Sequence, residues 1–182
     1  MPNVLWALLV AATLPANATF SVDAAASTIR YTVIHKLHHV EGISHDMEAK
    51  AIVKDDGSIL AMVRNPVASF RSGDGNRDEH MVEALDAGKF PFVVLKGTAQ
   101  LGPKRELPNS PVNMEGEVDL HGVKTPVTVP VSLALQADGS VRARGSFNVS
   151  LEAHHIERPS LLFVKIEDGC HIDFDLVMRG SQ

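Results

Sequence analysis

The sequence predicts an all-β protein, a closed antiparallel barrel or a sandwich, and three observations carry that expectation. Around a turn between Leu120 and Val127, two long runs alternate strictly. Met114, Gly116, Val118 and Leu120 share one face of the first, and Val127, Val129, Val131, Leu133 and Leu135 share one face of the second. Shorter alternating runs recur along the chain, about eight or nine in all, separated by short turns. A single segment has helical periodicity, and no helical crossovers join the runs.

Taken in order, Phe20 to Asp23 forms a short strand, and in the next Ile29, Tyr31, Val33 and His35 alternate with Arg30, Thr32 and Ile34. His35 therefore falls on the apolar face. Gly42 begins a further strand in which Met47, Ala49, Ala51 and Val53 share a side, and Asp55-Asp56-Gly57 turns it into the run Ile59 to Phe70. The helix spans Arg77 to Leu85, with Asn76 as N-cap, Glu79 completing a capping box, and Gly88 as its end. A strand from Phe92 to Leu101 leads to the proline-bearing loop Gly102 to Pro111, then to the two long strands. Ala137-Asp138-Gly139-Ser140 turns the chain into Val141 to Ser150. After an irregular stretch from Leu151 to Glu167, Ile172, Phe174, Leu176 and Met178 mark the last strand.

With 182 residues, 45% of them hydrophobic, the chain has the size of one domain and can bury a core without metal or disulfide staples. A net charge of -5 and the absence of a long Lys/Arg run give no footprint for a phosphate backbone, so nucleic acid is not an expected partner. Small residues on inward faces, Ala49, Ala51, Gly116, Ala143 and Gly145, leave room for an elongated ligand inside a barrel of about eight strands. The competing reading has the glycines marking bulges or tight bends around a filled interior.

Residues 1–18 carry no charge, hold an apolar stretch from Val4 to Leu14 and end in Ala16-Asn17-Ala18. That is the pattern of a cleaved export signal, leaving a mature domain at 19–182 in the periplasm or secreted. The missing Lys or Arg after Met1 favours the alternative of a buried N-terminal segment. The stretch is too short to span a bilayer. Cys170 is the one cysteine, which rules out an intrachain disulfide, and no nucleophile constellation surrounds it in the sequence.

Three blocks carry a family resemblance. The first is Phe20-Ser21-Val22-Asp23, Ser27, Tyr31-Thr32-Val33-Ile34-His35-Lys36-Leu37 and Val40-Glu41-Gly42. The second is Arg77-Asp78-Glu79-His80-Met81 followed by Lys89-Phe90-Pro91, and the third is His121-Gly122-Val123-Lys124-Thr125-Pro126-Val127. In this order they resemble the YceI-like family of exported lipocalin-like barrels, from Phe20 to about Arg179. The resemblance implies an antiparallel lipocalin-like β-barrel closed at one side by the helix. Its interior would take a long lipid such as a polyisoprenoid, an isoprenoid quinone or a fatty acyl amide, and no catalytic activity is implied. The chain departs from relatives at Ala84-Leu85-Asp86-Ala87-Gly88 and in the tail from Leu151 to Glu167.

The expected ligand-lining residues are Ile29, Tyr31, Val33, His35, Val118, Val129, Phe147 and Phe174, each on the apolar face of its strand. Sheathing ten methylenes favours binding by about 8 kcal/mol before ordering costs of several kcal/mol. His35 either hydrogen-bonds a ligand head group or is a core histidine satisfied by the backbone. Catalytic motifs are absent: there is no Gly-x-Ser-x-Gly elbow, no His-Glu-x-x-His and no phosphate-binding glycine loop. The protein is therefore expected to be no enzyme and to need no cofactor. A second reading makes it a periplasmic redox or metal/haem accessory protein using His35, His38, His39 and His45 or His154 and His155, although adjacent strand residues face opposite ways and no ligand spacing is recognisable. A third makes it a docking partner for a membrane protein.

Overall fold

The computed structural model describes residues 12–35, 38–158, 160–161 and 164–181. Residues 1–11 of the expected export signal lie outside these. The strands are β1 (Ala18–Val22), β2 (Thr28–His35), β3 (His38–Ser44), β4 (Glu48–Val53), β5 (Ser58–Pro66), β6 (Phe92–Gln100), β7 (Val112–Leu120), β8 (Val123–Leu135), β9 (Val141–Ser150), the short β10 (Ser160–Leu161) and β11 (Val164–Lys165), and β12 (Gly169–Gly180). The helix α1 (Gly75–Ala84) lies between β5 and β6.

All pairings are antiparallel, and β1, β4, β5, β6, β7, β8, β9 and β12 close into an eight-stranded barrel when β12 returns to β1. The long β12 serves two neighbours on one side. Its end, Met178–Gly180, pairs with β1, while Cys170–Asp175 pairs with β2, which carries β3 beyond it. Ile43 of β3 exchanges both backbone hydrogen bonds with Arg71, at 2.9 Å each, tying this upper flap to the segment that leads into α1. The registers place the His35 end of β2 and the His38 end of β3, α1, the β7–β8 turn and the loop after β9 at one end, the mouth. The base holds the turns around Asp56, Gly102 and Asp138.

Several boundaries differ from the sequence expectation, each for a local reason. The helix cap is Asp74, whose carboxylate accepts from the Arg77 backbone N–H at 3.2 Å; Asn76 lies within the first turn, so its capping box with Glu79 does not form. The C-cap is Leu85 rather than Gly88. The strand expected to begin at Gly42 is two strands, broken where Ser44 Oγ accepts from the Asp46 backbone N–H at 3.1 Å and His45 Nδ1 meets Ser27 O at 2.7 Å. The Leu120–Val127 turn consists of His121 and Gly122 alone, at φ 55° and 73°. Two positive φ values in a two-residue hairpin match the twist of the flanking strands, and Gly122 accepts that conformation without cost. Lys124, Thr125 and Pro126 already belong to β8.

β8 pairs with β9 only from Val131 to Leu135. Above that point Pro126 and Pro130 lie on the parting edge, where a missing N–H costs no ladder bond. The loop after β9 is pinned across this end of β8 by His154, which is fully buried. Its Nδ1 lies 3.1 Å from Leu120 O and 3.0 Å from Val123 O, and both can only accept, so Nδ1 carries the proton. Nε2 then accepts from the Thr125 hydroxyl at 3.0 Å. His121 Nδ1 donates to His154 O at 3.0 Å, completing the latch.

A candidate ligand cavity inside the barrel

Inward-facing side chains of the barrel enclose a cavity of about 650 Å³ whose wall is overwhelmingly apolar. Its volume lies in the range of small-molecule sites. A condensed-phase heavy atom takes roughly 30 Å³, as a water does, so the space suits on the order of twenty carbons. Alternation in the strands aims one face of each inward, which is why a single pattern in the sequence produces a continuous apolar lining.

The cavity is polarised along its length. At the base, Phe20, Val53, Ile59, Val141, Leu176 and Met178 pack together, and Leu14, 4% exposed, closes the floor. Leu14 is held there by backbone bonds: its N–H donates to Arg105 O at 3.0 Å, and Leu107 N–H donates to Ala12 O at 2.8 Å. At the mouth the wall gains His35, His38, Arg77 and His80, with Met81 and Ala84 of α1 beside them. The helix presents this face because Arg77, His80, Met81 and Ala84 recur at three- and four-residue spacing.

Of the eight residues expected to line the interior, Ile29, Tyr31, Val33, His35, Val118, Phe147 and Phe174 are on the cavity wall. Val129 is not. It is fully buried against Met114 and Val131 in the packing between β7 and β8. The small residues divide by type. Ala49, Ala51 and Ala143 do line the cavity, whereas Gly116 and Gly145 do not. A Cβ on Gly116 would fall 1.9 Å from Lys96 O, so this glycine exists for close strand approach. A Cβ on Gly145 would fall 2.5 Å from the Phe174 ring, which fills that place.

Sequence reasoning missed Leu14, Asn65 and the helix residues on the wall. The 3.6-residue spacing of Met81, Ala84 and Leu85 was available as a signal; Asn65 stands directly before Pro66 and reads locally as a turn. Cys170 is a buried β12 residue, and burial pushes its thiol from an ordinary 9.0 up to about 12, which suppresses the reactive thiolate. Among the described residues no three His, Cys, Asp or Glu side chains converge in a metal-binding arrangement. Of the histidines named together in the sequence, His35 and His38 are cross-strand partners at the mouth, whereas His45 bonds Ser27 O, His154 latches the β7–β8 turn, and His155 is exposed.

An antiparallel barrel with an apolar interior, closed at one end and overlain by a helix at the other, defines the lipocalin-like class of barrels. The family model of the YceI-like domain matches residues 20–178, and the chain belongs to that family. BcnA from Burkholderia cenocepacia is similar in structure, with a TM-score of 0.70 and 22% identity over 86% of this chain and 98% of its own. A polyisoprenoid binding domain from Saccharophagus degradans also has a TM-score of 0.70, with 16% identity over 89% of this chain and 98% of its own. A YceI protein from Campylobacter jejuni has a TM-score of 0.62 and 15% identity, covering 82% and 89%. No curated protein matches the sequence.

Proposed function

We propose that this protein binds a long-chain amphiphilic lipid, of the polyisoprenoid, isoprenoid quinone or fatty acyl amide kind, and sequesters or carries it without chemical change. The observation that carries the reading is the polarised cavity: apolar at the base among Phe20, Val53, Ile59, Val141, Leu176 and Met178, with histidines and Arg77 gathered toward the α1 mouth. A lipid enters this frame with its tail down and its head near Tyr31, His35 and Arg77. Length and cross-section then set selectivity, because burial of methylenes is the main driving force. The polyisoprenoid-binding domain of similar fold supports this class of ligand. A binding role also accords with the interior chemistry, where the buried Cys170 thiol is held protonated.

The reading includes export, with residues 1–18 as a leader and the barrel acting in the periplasm or outside the cell. The support is the uncharged apolar segment ending in Ala16-Asn17-Ala18, immediately before Thr19 in β1. Delivery to a membrane-protein partner would use the mouth, where the polar residues stand.

Filling the cavity tests the proposal. In Ala51→Phe and Ala143→Phe, two wall positions receive rings, and displacement of a hydrophobic fluorescent probe by long-chain lipids is measured alongside circular dichroism. The expected result is at least tenfold weaker lipid binding in the folded double variant. Unchanged lipid affinity in that variant overturns the cavity as the binding site.

A further inference from the structure

Asn65 and Tyr31 are two polar side chains of the cavity wall, each with an unused hydrogen-bonding atom among the described residues. Asn65 belongs to the inward set of β5 with Ile59, Ala61 and Val63, lines the cavity and is 3% exposed. Its Nδ2 donates toward Ser69 Oγ at 3.0 Å, Pro66 O at 3.1 Å and Ser44 Oγ at 3.2 Å. The amide cannot be turned round. The Pro66 carbonyl only accepts, the Ser69 hydroxyl gives its proton to Pro66 O at 2.7 Å, and the Ser44 hydroxyl gives its own to Ser69 Oγ at 2.7 Å. Oδ1 is left buried with no donor, and a buried carbonyl without a partner is a feature that needs a reason.

The Tyr31 phenol supplies the complement. It lines the same cavity, its ring meets the edge of Phe70 at a centroid distance of 5.4 Å, and its hydroxyl makes no hydrogen bond among the described residues. That hydroxyl lies over the inner face of β3 at Gly42, where a Cβ would fall 2.8 Å from the oxygen. Asn65 bonds Ser44, two residues further along the same strand. Two residues of strand span about 6.6 Å, so donor and acceptor are a head group apart. Burial first, and the Asp78 carboxylate second, push the phenol up to about 12, so it remains a donor at any physiological pH.

We propose that Tyr31 and Asn65 form the head-group subsite of the cavity, selecting a lipid whose uncharged head presents both an acceptor and a donor, as an alcohol or a primary amide does. The head's oxygen accepts from the Tyr31 hydroxyl and its O–H or N–H donates to Asn65 Oδ1. A head that only accepts, such as an ester or a quinone, satisfies Tyr31 and leaves Asn65 unpaired. An anionic carboxylate head only accepts, so even with Arg77 near Tyr31 it leaves Asn65 unpaired. The inference rests on the proposed lipid-binding function and sharpens it to a ligand class.

The test compares probes of one chain length, hexadecanamide and 1-hexadecanol against methyl palmitate, on the wild-type chain and on Tyr31→Phe and Asn65→Leu, by competition with a hydrophobic fluorescent dye. The inference predicts that the amide and the alcohol bind wild type several-fold more tightly than the ester, one hydrogen bond being the difference. Asn65→Leu removes that preference, and Tyr31→Phe weakens all three probes by a few-fold. Should Asn65→Leu fail to fold, the wild-type series and Tyr31→Phe still decide. Equal affinity of wild type for amide, alcohol and ester overturns the subsite while leaving the lipid-binding function standing. Failure of all three probes to displace the dye overturns that function itself.

Discussion

At single positions, alternation made most of the wall legible, because an inward residue in a barrel strand is inward for its whole run. It could not separate wall from packing: Val129 has the same sequence signature as Val118, yet the side chains of the Met114–Val131 cluster cover it. Nor could it distinguish a small residue that makes room from one that admits a neighbour, as Ala143 and Gly116 show. Gly116→Ala therefore forces a Cβ against a backbone oxygen, and a loss of about 1–3 kcal/mol in urea unfolding is expected. Wild-type stability in that variant would show that β6 and β7 yield easily. Cys170 gives a pH signature. Its folded-state value is raised, so the stability it contributes is complete below about 9 and is lost as pH rises through about 12. Cys170→Ala should flatten the alkaline limb of the thermal-melting profile between those values, and an unaltered limb would contradict the burial argument.

Among the elements, strands whose apolar face is continuous were readable in order and nearly in extent, since their pattern and their turns agree. What escaped were boundaries fixed by side-chain bonds to the backbone. The break between β3 and β4 depends on Ser44 and His45 finding backbone partners, one of them in the distant residue Ser27. The cap of α1 turns on which of two nearby acceptors, Asp74 or Asn76, precedes the helix with extended dihedrals, and Asp74 does, at φ -133° and ψ 110°. Asp74→Ala should cost about 1 kcal/mol, while Asn76→Ala should change stability by a few tenths. Equal losses in the two variants by chemical denaturation would return the cap to Asn76. The latch formed by His154 was equally hidden, because its partners Leu120, Val123 and Thr125 lie about thirty residues away and their carbonyls and hydroxyl leave no trace in local pattern.

For the whole molecule, two ends of unlike chemistry follow from where the chain puts its connections. The base receives turns and the cluster of Phe20, Val53 and Met178, so it is apolar; the mouth receives α1 and the His35 and His38 ends of β2 and β3, so it carries His35, His38, Arg77 and His80. Barrel closure removes most free sheet edges, which leaves the interior as the large apolar surface available to a partner molecule. The arrangement suits the proposed lipid, with its tail in the barrel and its head at the helix. Native mass spectrometry with organic extraction, on protein recovered from a host that exports it, examines this most directly. A discrete adduct of long-chain lipid mass is expected, released on denaturation and absent after Ala51→Phe with Ala143→Phe. Bare wild-type protein that also takes up no added long-chain lipid would contradict it.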